Sequence, residues 1–187
     1  MNPDPGRDQK EERELIRCAI DGDADAFGIL YQRYLDPIYR YIFFRVNNEA
    51  EAEDLTEEVF YRAWVALPRH DSAALAFSSW LYRIAHNLVI DYYRKRRPDV
   101  LAPEEQRQQA DRGASVEQIV HKRDDLARIM EAVRQLSDEE QTVLILRFVE
   151  GLSHRDVAAA IGKSEASSRV IQHRALTLLR RILGEAK

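Results

Sequence analysis

The sequence predicts an all-α protein made of two small helical domains joined by a flexible linker, and three observations carry that prediction. Apolar residues recur at intervals of three and four along stretch after stretch, the period of a helix face. Serines and glycines stand where those stretches begin and end. One polar segment with two prolines, residues 98–113 (PDVLAPEEQRQQADRG), interrupts the pattern with almost nothing to bury, so it reads as an extended linker. Seven glycines in 187 residues and few β-branched runs leave little material for strands.

Residues 1–10, with Pro3, Pro5 and Gly6, are expected to fray. A short helix should run from Glu11 to Ile20 and stop at the Asp21-Gly22-Asp23 turn. In ADAFGILYQRYLDPIYRYIFFRV, the residues Phe27, Leu30, Tyr31, Tyr34, Ile38, Tyr41 and Ile42 form a helical stripe. Pro37 either kinks that helix or sits in the first turn of a second segment. So aromatic a stripe reads as core rather than as a cofactor box.

A polar turn, Asn47 to Glu53, leads to the helix EDLTEEVFYRAWVAL, whose buried line is Leu55, Val59, Ala63 and Leu67. Asp54, Glu57, Glu58, Tyr61 and Arg62 are left facing outward. Acidic residues in a first turn complement the helix dipole. No histidine is spaced to join Glu49, Glu51, Glu53 and Asp54, and successive carboxylates do not converge on one face. A docking face for a partner protein is the better reading than a metal site.

The loop LPRHDSAALA opens at Pro68 and offers Ser72 or a neighbour as a cap. It feeds FSSWLYRIAHNLVIDYYRKRR, Phe77 to Arg97. Trp80, Ile84, Leu88 and Tyr92 fall four apart on an apolar face, with Leu81 and Ala85 beside them. The other face collects Arg83, Asn87 and Asp91, then the run Arg94, Lys95, Arg96, Arg97. Rings that stack and cations that neutralise phosphates suit nucleic acid.

Beyond the linker, Val116 to Gln135 reads as a helix through Ile119, Leu126, Ile129, Met130 and Val133. Ser137 followed by Glu140 is a capping box opening QTVLILRFVEG, which Gly151 closes. Ser153 caps HRDVAAAI, Gly162 ends it, and Ser164 caps EASSRVIQHRALTLLRRIL. The last two helices make a helix-turn-helix, whose second member can enter a major groove. Ile171, Ala175, Leu178 and Ile182 face inward. Arg169, His173 and Arg174 face outward, with Ser164 and Ser167 near the helix start. Arginine can bridge two acceptors of guanine, and serines at a helix start commonly bind phosphate. Residues 151–187 hold seven basic side chains against three acidic ones.

The net charge of −4 argues against a non-specific nucleic-acid coat. The single cysteine, Cys18, supplies neither a disulfide nor a zinc site and fits a reducing cytoplasm. No apolar run is long enough for a bilayer, and the polar start MNPDPGRDQKEERE lacks the core of a secretion signal, so no membrane insertion is expected. The five histidines are scattered, without paired spacing, so an enzyme using His70, His86 or His121 is disfavoured, and no cofactor is expected.

Five segments, in order, resemble signatures of the extracytoplasmic-function (group IV) sigma factors of bacterial RNA polymerase. They are DAFGILYQRY, AEDLTEEVFYRAW, FSSWLYRIAHNLVIDYYR, LSDEEQTVLILRFVEGLSHRDVAAAIGKSE and QHRAL. The resemblance implies three units: sigma region 2 over 1–97, a linker over 98–114, and sigma region 4 over 115–187. It implies that Asp54, Glu57, Glu58, Tyr61 and Arg62 grip the coiled coil of the polymerase β′ subunit. Arg69, His70 and Asp71 in the loop, with Phe77, Trp80, Arg83 and Asn87 on the helix, would recognise and melt the −10 element. A base flipped out of the stack there would be held by a loop pocket and by ring stacking. Arg94, Lys95, Arg96 and Arg97 would hold phosphates. Ser164, Ser167, Arg169, His173 and Arg174 would read the −35 element, and the helices before them would dock on the β-flap.

The resemblance further implies an anti-sigma partner. The sequence departs from the family pattern at Glu57, often glutamine, at Ala166, often glycine, and at Ile171, often arginine. Ser168 stands where a buried aliphatic residue is usual, and its hydroxyl needs a partner such as the carbonyl four residues back. The free protein is expected to bind DNA weakly and in a salt-sensitive way. The alternative function is a stand-alone helix-turn-helix transcriptional regulator with a sensing first half. It is weakened by the missing receiver-type βα pattern and by an aromatic-cationic helix that a sensor would not need.

Overall fold

The computed structural model describes residues 5–70, 75–96 and 128–185. Among these residues every regular element is helical. The first half contains α1 (Pro5–Ile20), α2 (Ala24–Val46), α3 (Glu49–Ala66), a 3₁₀ turn (Leu67–Arg69) and α4 (Phe77–Arg96). The second contains a helical stretch over 128–134, α5 (Asp138–Leu144), α6 (His154–Ile161) and α7 (Glu165–Glu185). The linker, most of the 116–135 helix and Ser72 lie outside the described residues.

Local chemistry explains the boundaries. Asp23 caps α2 by accepting from the backbone N–H groups of Asp25 and Ala26, at 2.9 and 3.1 Å. Asn47 ends α2 in the left-handed region, φ 52°, and its N–H donates to the Phe43 carbonyl at 2.8 Å. Asn48 then caps α3 through Glu51 N–H, so the expected polar turn is only two residues long. The capping box forms as read, with Glu140 accepting from Ser137 N–H at 3.0 Å. Gly162 ends α6 at φ 68°. Pro37 lies inside one continuous α2, and α1 begins earlier than Glu11. After α5 the backbone widens into a π-type turn, Ile145–Val149, which leaves Phe148 and Val149 exposed.

In the first half, α2 packs against α1, α3 and α4 around Leu30, Ile38, Tyr41 and Ile42. In α3 the buried line is Ala52, Thr56, Val59, Phe60 and Ala63, while Leu55 is only half-buried. In α4 the expected line of Trp80, Ile84, Leu88 and Tyr92 is displaced. Phe77, Leu81, Ala85 and Leu88 are buried, and so are Ser79, Tyr82, His86 and Val89. The reason is tertiary: α6 packs against α4 and covers a face that would be wet if the first half stood alone. Val143, Ile145, Leu146, Val157, Ala160 and Ile171 join the first half's apolar side chains in one cluster. A second small cluster, Leu136, Leu144 and Ala175, ties α7 to α5.

Candidate nucleic-acid interface

The outward side of α3 carries Asp54, Glu57 and Arg62, all exposed, with Glu58 half-buried and bonded to Arg62 at 2.6 Å. Tyr61 is 65% exposed, and one turn on Trp64 and Val65 are exposed as well. Trp64 also leans on Phe27, ring centroids 4.9 Å apart. The sequence reading included Tyr61 and missed Trp64 and Val65. Their i+3 and i+4 spacing from Tyr61 was the available signal. The surface is therefore an acidic rim around an aromatic and aliphatic centre, the anatomy of a protein contact rather than a phosphate cradle.

At the start of α4 a ring cluster forms. His70 stacks on Trp80 at 4.4 Å and meets Phe77 edge-on at 6.0 Å, while Phe77 touches Trp80 and Tyr34. Phe77, expected to meet a base, is 2% exposed; it supports the cluster from beneath and offers no free face. Trp80 is half-buried, and Arg69 and Asn87 are exposed. Asp71 and Arg97 lie outside the described residues. At the far end Arg94 pairs with Asp91 at 2.9 Å, and Arg96 with Glu51 at 2.5 Å while lying over the Tyr92 ring. Lys95 is exposed between them.

Arg83 is the predicted site residue that the tertiary structure redirects. Its guanidinium donates to the Ala159 carbonyl in α6, at 2.9 Å from Nε and 2.5 Å from Nη2. It belongs to a larger polar seam between the halves. Arg40 grips Glu150 bidentately at 2.7 Å, and Tyr82 donates to the same carboxylate at 3.1 Å. Arg45, its side chain fully buried, donates to the Asp138 carbonyl and carboxylate at 2.9 and 2.7 Å and also to Thr142. Thr142, Tyr41 and His86 Nδ1 lie within 3.4 Å of one another. Burial, then the Arg45 guanidinium, push His86 down to about 4, so it is neutral near pH 7. No local signal marks this seam, because Arg45 and Asp138 stand 93 residues apart in the chain.

On α7, Ser168 and Ala175 are fully buried and Ile171 nearly so. The Ser168 hydroxyl lies 3.0 Å from His154 Nδ1, so its partner is a side chain of α6. Arg169, His173 and Arg174 are exposed, as the sequence reading expects. Arg169 is tied to Glu165 at 2.5 Å, and Arg174 Nε to the buried Glu140 at 2.6 Å. Ser164 caps the helix through Ser167 N–H, and the two hydroxyls are 2.8 Å apart. Ser137 and Arg174 hold the Glu140 carboxyl below its ordinary value, against the opposing effect of burial. Among the described residues no helix is long and apolar enough to cross a membrane.

Two family descriptions match this chain in order: Sigma-70 region 2 over residues 30–98 and Sigma-70, region 4 over residues 126–179. The ECF RNA polymerase sigma factor BldN of Streptomyces coelicolor is 37% identical over 98% of this chain and 70% of its own length. SigW of Bacillus subtilis, also an ECF RNA polymerase sigma factor, is 32% identical over 92% of this chain and 97% of its own. Among solved structures, CnrH in complex with the cytosolic domain of CnrY superposes with a TM-score of 0.73 at 25% identity, covering 95% of this chain and 99% of that one.

Proposed function

This chain belongs to the extracytoplasmic-function sigma factors of the sigma-70 family, and from that membership we propose how its residues serve promoter-specific initiation. The carrying observation is that both sigma regions occur in order on one chain. Residues 1–97 then act as the polymerase-binding and −10 unit, 98–114 as the tether, and 115–187 as the −35 unit.

Asp54, Glu57, Glu58, Tyr61 and Arg62 dock on the β′ coiled coil, with Trp64 and Val65 adding apolar area at the centre of the contact. Arg69, His70 and Asp71 approach the −10 element with Trp80, Arg83 and Asn87, while Phe77 props the ring cluster. Stacking on such rings contributes roughly 1–3 kcal/mol per base, enough to offset extrusion of one. Arg94 to Arg97 hold phosphates. Ser164, Ser167, Arg169, His173 and Arg174 face the −35 element, and the exposed Phe148 and Val149 suit the β-flap.

The grip of Arg83 on Ala159 means that α6 must leave α4 before Arg83 can reach DNA. Loading on polymerase therefore includes parting of the two halves. An anti-sigma partner would act by holding them closed; CnrH, a solved structure similar to this chain, is in complex with the cytosolic domain of CnrY.

Run-off transcription with core RNA polymerase on a randomised promoter library tests the proposal. Addition of this chain should produce discrete start sites sharing two spaced sequence elements. Transcripts unchanged from core polymerase alone would overturn it.

A further inference from the structure

We propose that Val170, with Ala166 one turn before it, reads the 5-methyl group of thymine in the −35 element. The inference deepens the assignment of α7 as the −35 helix and rests on it. Val170 is 66% exposed on the outward face of α7. By helical spacing Arg169 and His173 lie on one flank, with Ser167 and Arg174 on the other. Ala166, also exposed, is in line with it at i−4.

The polar residues around this strip are largely engaged. Arg169 is held by Glu165, Arg174 Nε by Glu140, Lys163 by Glu139, and Ser164 and Ser167 bond each other. A lone exposed valine is ordinary on a protein surface. Here it projects between cationic side chains on the outward face, so an approaching duplex brings a base edge against it. Among major-groove edges thymine alone presents a methyl group. A cytosine or adenine in the same place would lose hydration at its amino group and gain no partner from an aliphatic side chain. The chain thus selects thymine by apolar contact at the position where a hydrogen-bonding residue would select another base.

The test uses holoenzyme assembled from core polymerase and the full chain, on −35 elements selected from a randomised library. Each thymine is replaced singly by deoxyuridine, which keeps every hydrogen-bonding group and lacks only the methyl. At one or two adjacent positions the replacement should weaken binding about fourfold, the value of one buried methyl-sized group. Val170→Ala should bind the thymine duplex with a similar loss and no longer distinguish the two bases there. Arg169→Ala should weaken binding to both duplexes alike. Selection of elements without thymine, or a Val170→Ala holoenzyme that discriminates as the wild type does, overturns the proposal. If neither variant alters affinity and selection yields no −35 preference, the assignment of α7 falls as well.

Discussion

His86 lies among Tyr41, Thr142 and Arg45 at the seam between the halves, and its titration is coupled to folding. In the folded chain its pKa is about 4, against 6.5 for an ordinary histidine. The unfolded chain therefore takes up a proton first as pH falls, and each such proton favours unfolding. The contribution is fully present above about pH 6.5 and drains away between there and about pH 4, by roughly 3 kcal/mol at most. Thermal midpoints measured across that window should fall steeply in the wild type. His86→Phe should flatten the upper part of the window, from about pH 6.5 to 5, where ordinary carboxylates have not begun to titrate. An unchanged slope there would mean that His86 remains accessible to protons. Ser168 teaches a related lesson at the same scale. Its unusual hydroxyl was legible in the sequence, but its partner was not, because His154 comes from another helix.

At the scale of elements, α5 is only seven residues long and depends on its start. An isolated helix of that length does not hold in water, so the Ser137–Glu140 box and the packing of α7 must both contribute. Ser137→Ala should cost about 1 kcal/mol. It should lower the urea midpoint without altering the m-value, since the surface exposed on unfolding is unchanged. A variant as stable as the wild type would show that Arg174 alone secures Glu140. The caps at Ser137, Ser153 and Gly162 were readable because each depends on residues within one turn. The buried arc of α4 was misplaced for the opposite reason. A periodic sequence reports one apolar face, whereas α4 is covered from two sides.

At the scale of the whole molecule, the polar seam engages Arg83, one of the residues proposed to meet DNA. Glu150 takes three hydrogen bonds from the first half, two from Arg40 and one from Tyr82. Glu150→Gln keeps the shape but removes the charge that both partners are arranged around, so the closed arrangement should loosen. Small-angle scattering of the full chain should report a larger radius of gyration, and core polymerase should bind the variant at least as tightly as the wild type. Scattering curves that superpose would show that the rest of the seam, Arg45 on Asp138, Arg83 on Ala159 and the apolar contacts through Val157 and Ala160, keeps the halves together without the Glu150 charge.

The all-α class, the order of the helices, the caps of the second half and the outward faces of α3 and α7 were legible in the amino acids alone. These follow from periodicity and from hydrogen bonds that close within four residues. Only the tertiary structure decided that Phe77 is a prop, that Arg83 is held by a carbonyl of α6, and that Arg45 is buried against Asp138. The two arginine contacts join residues 76 and 93 positions apart, brought together by the burial of a shared apolar face, and no local pattern encodes them.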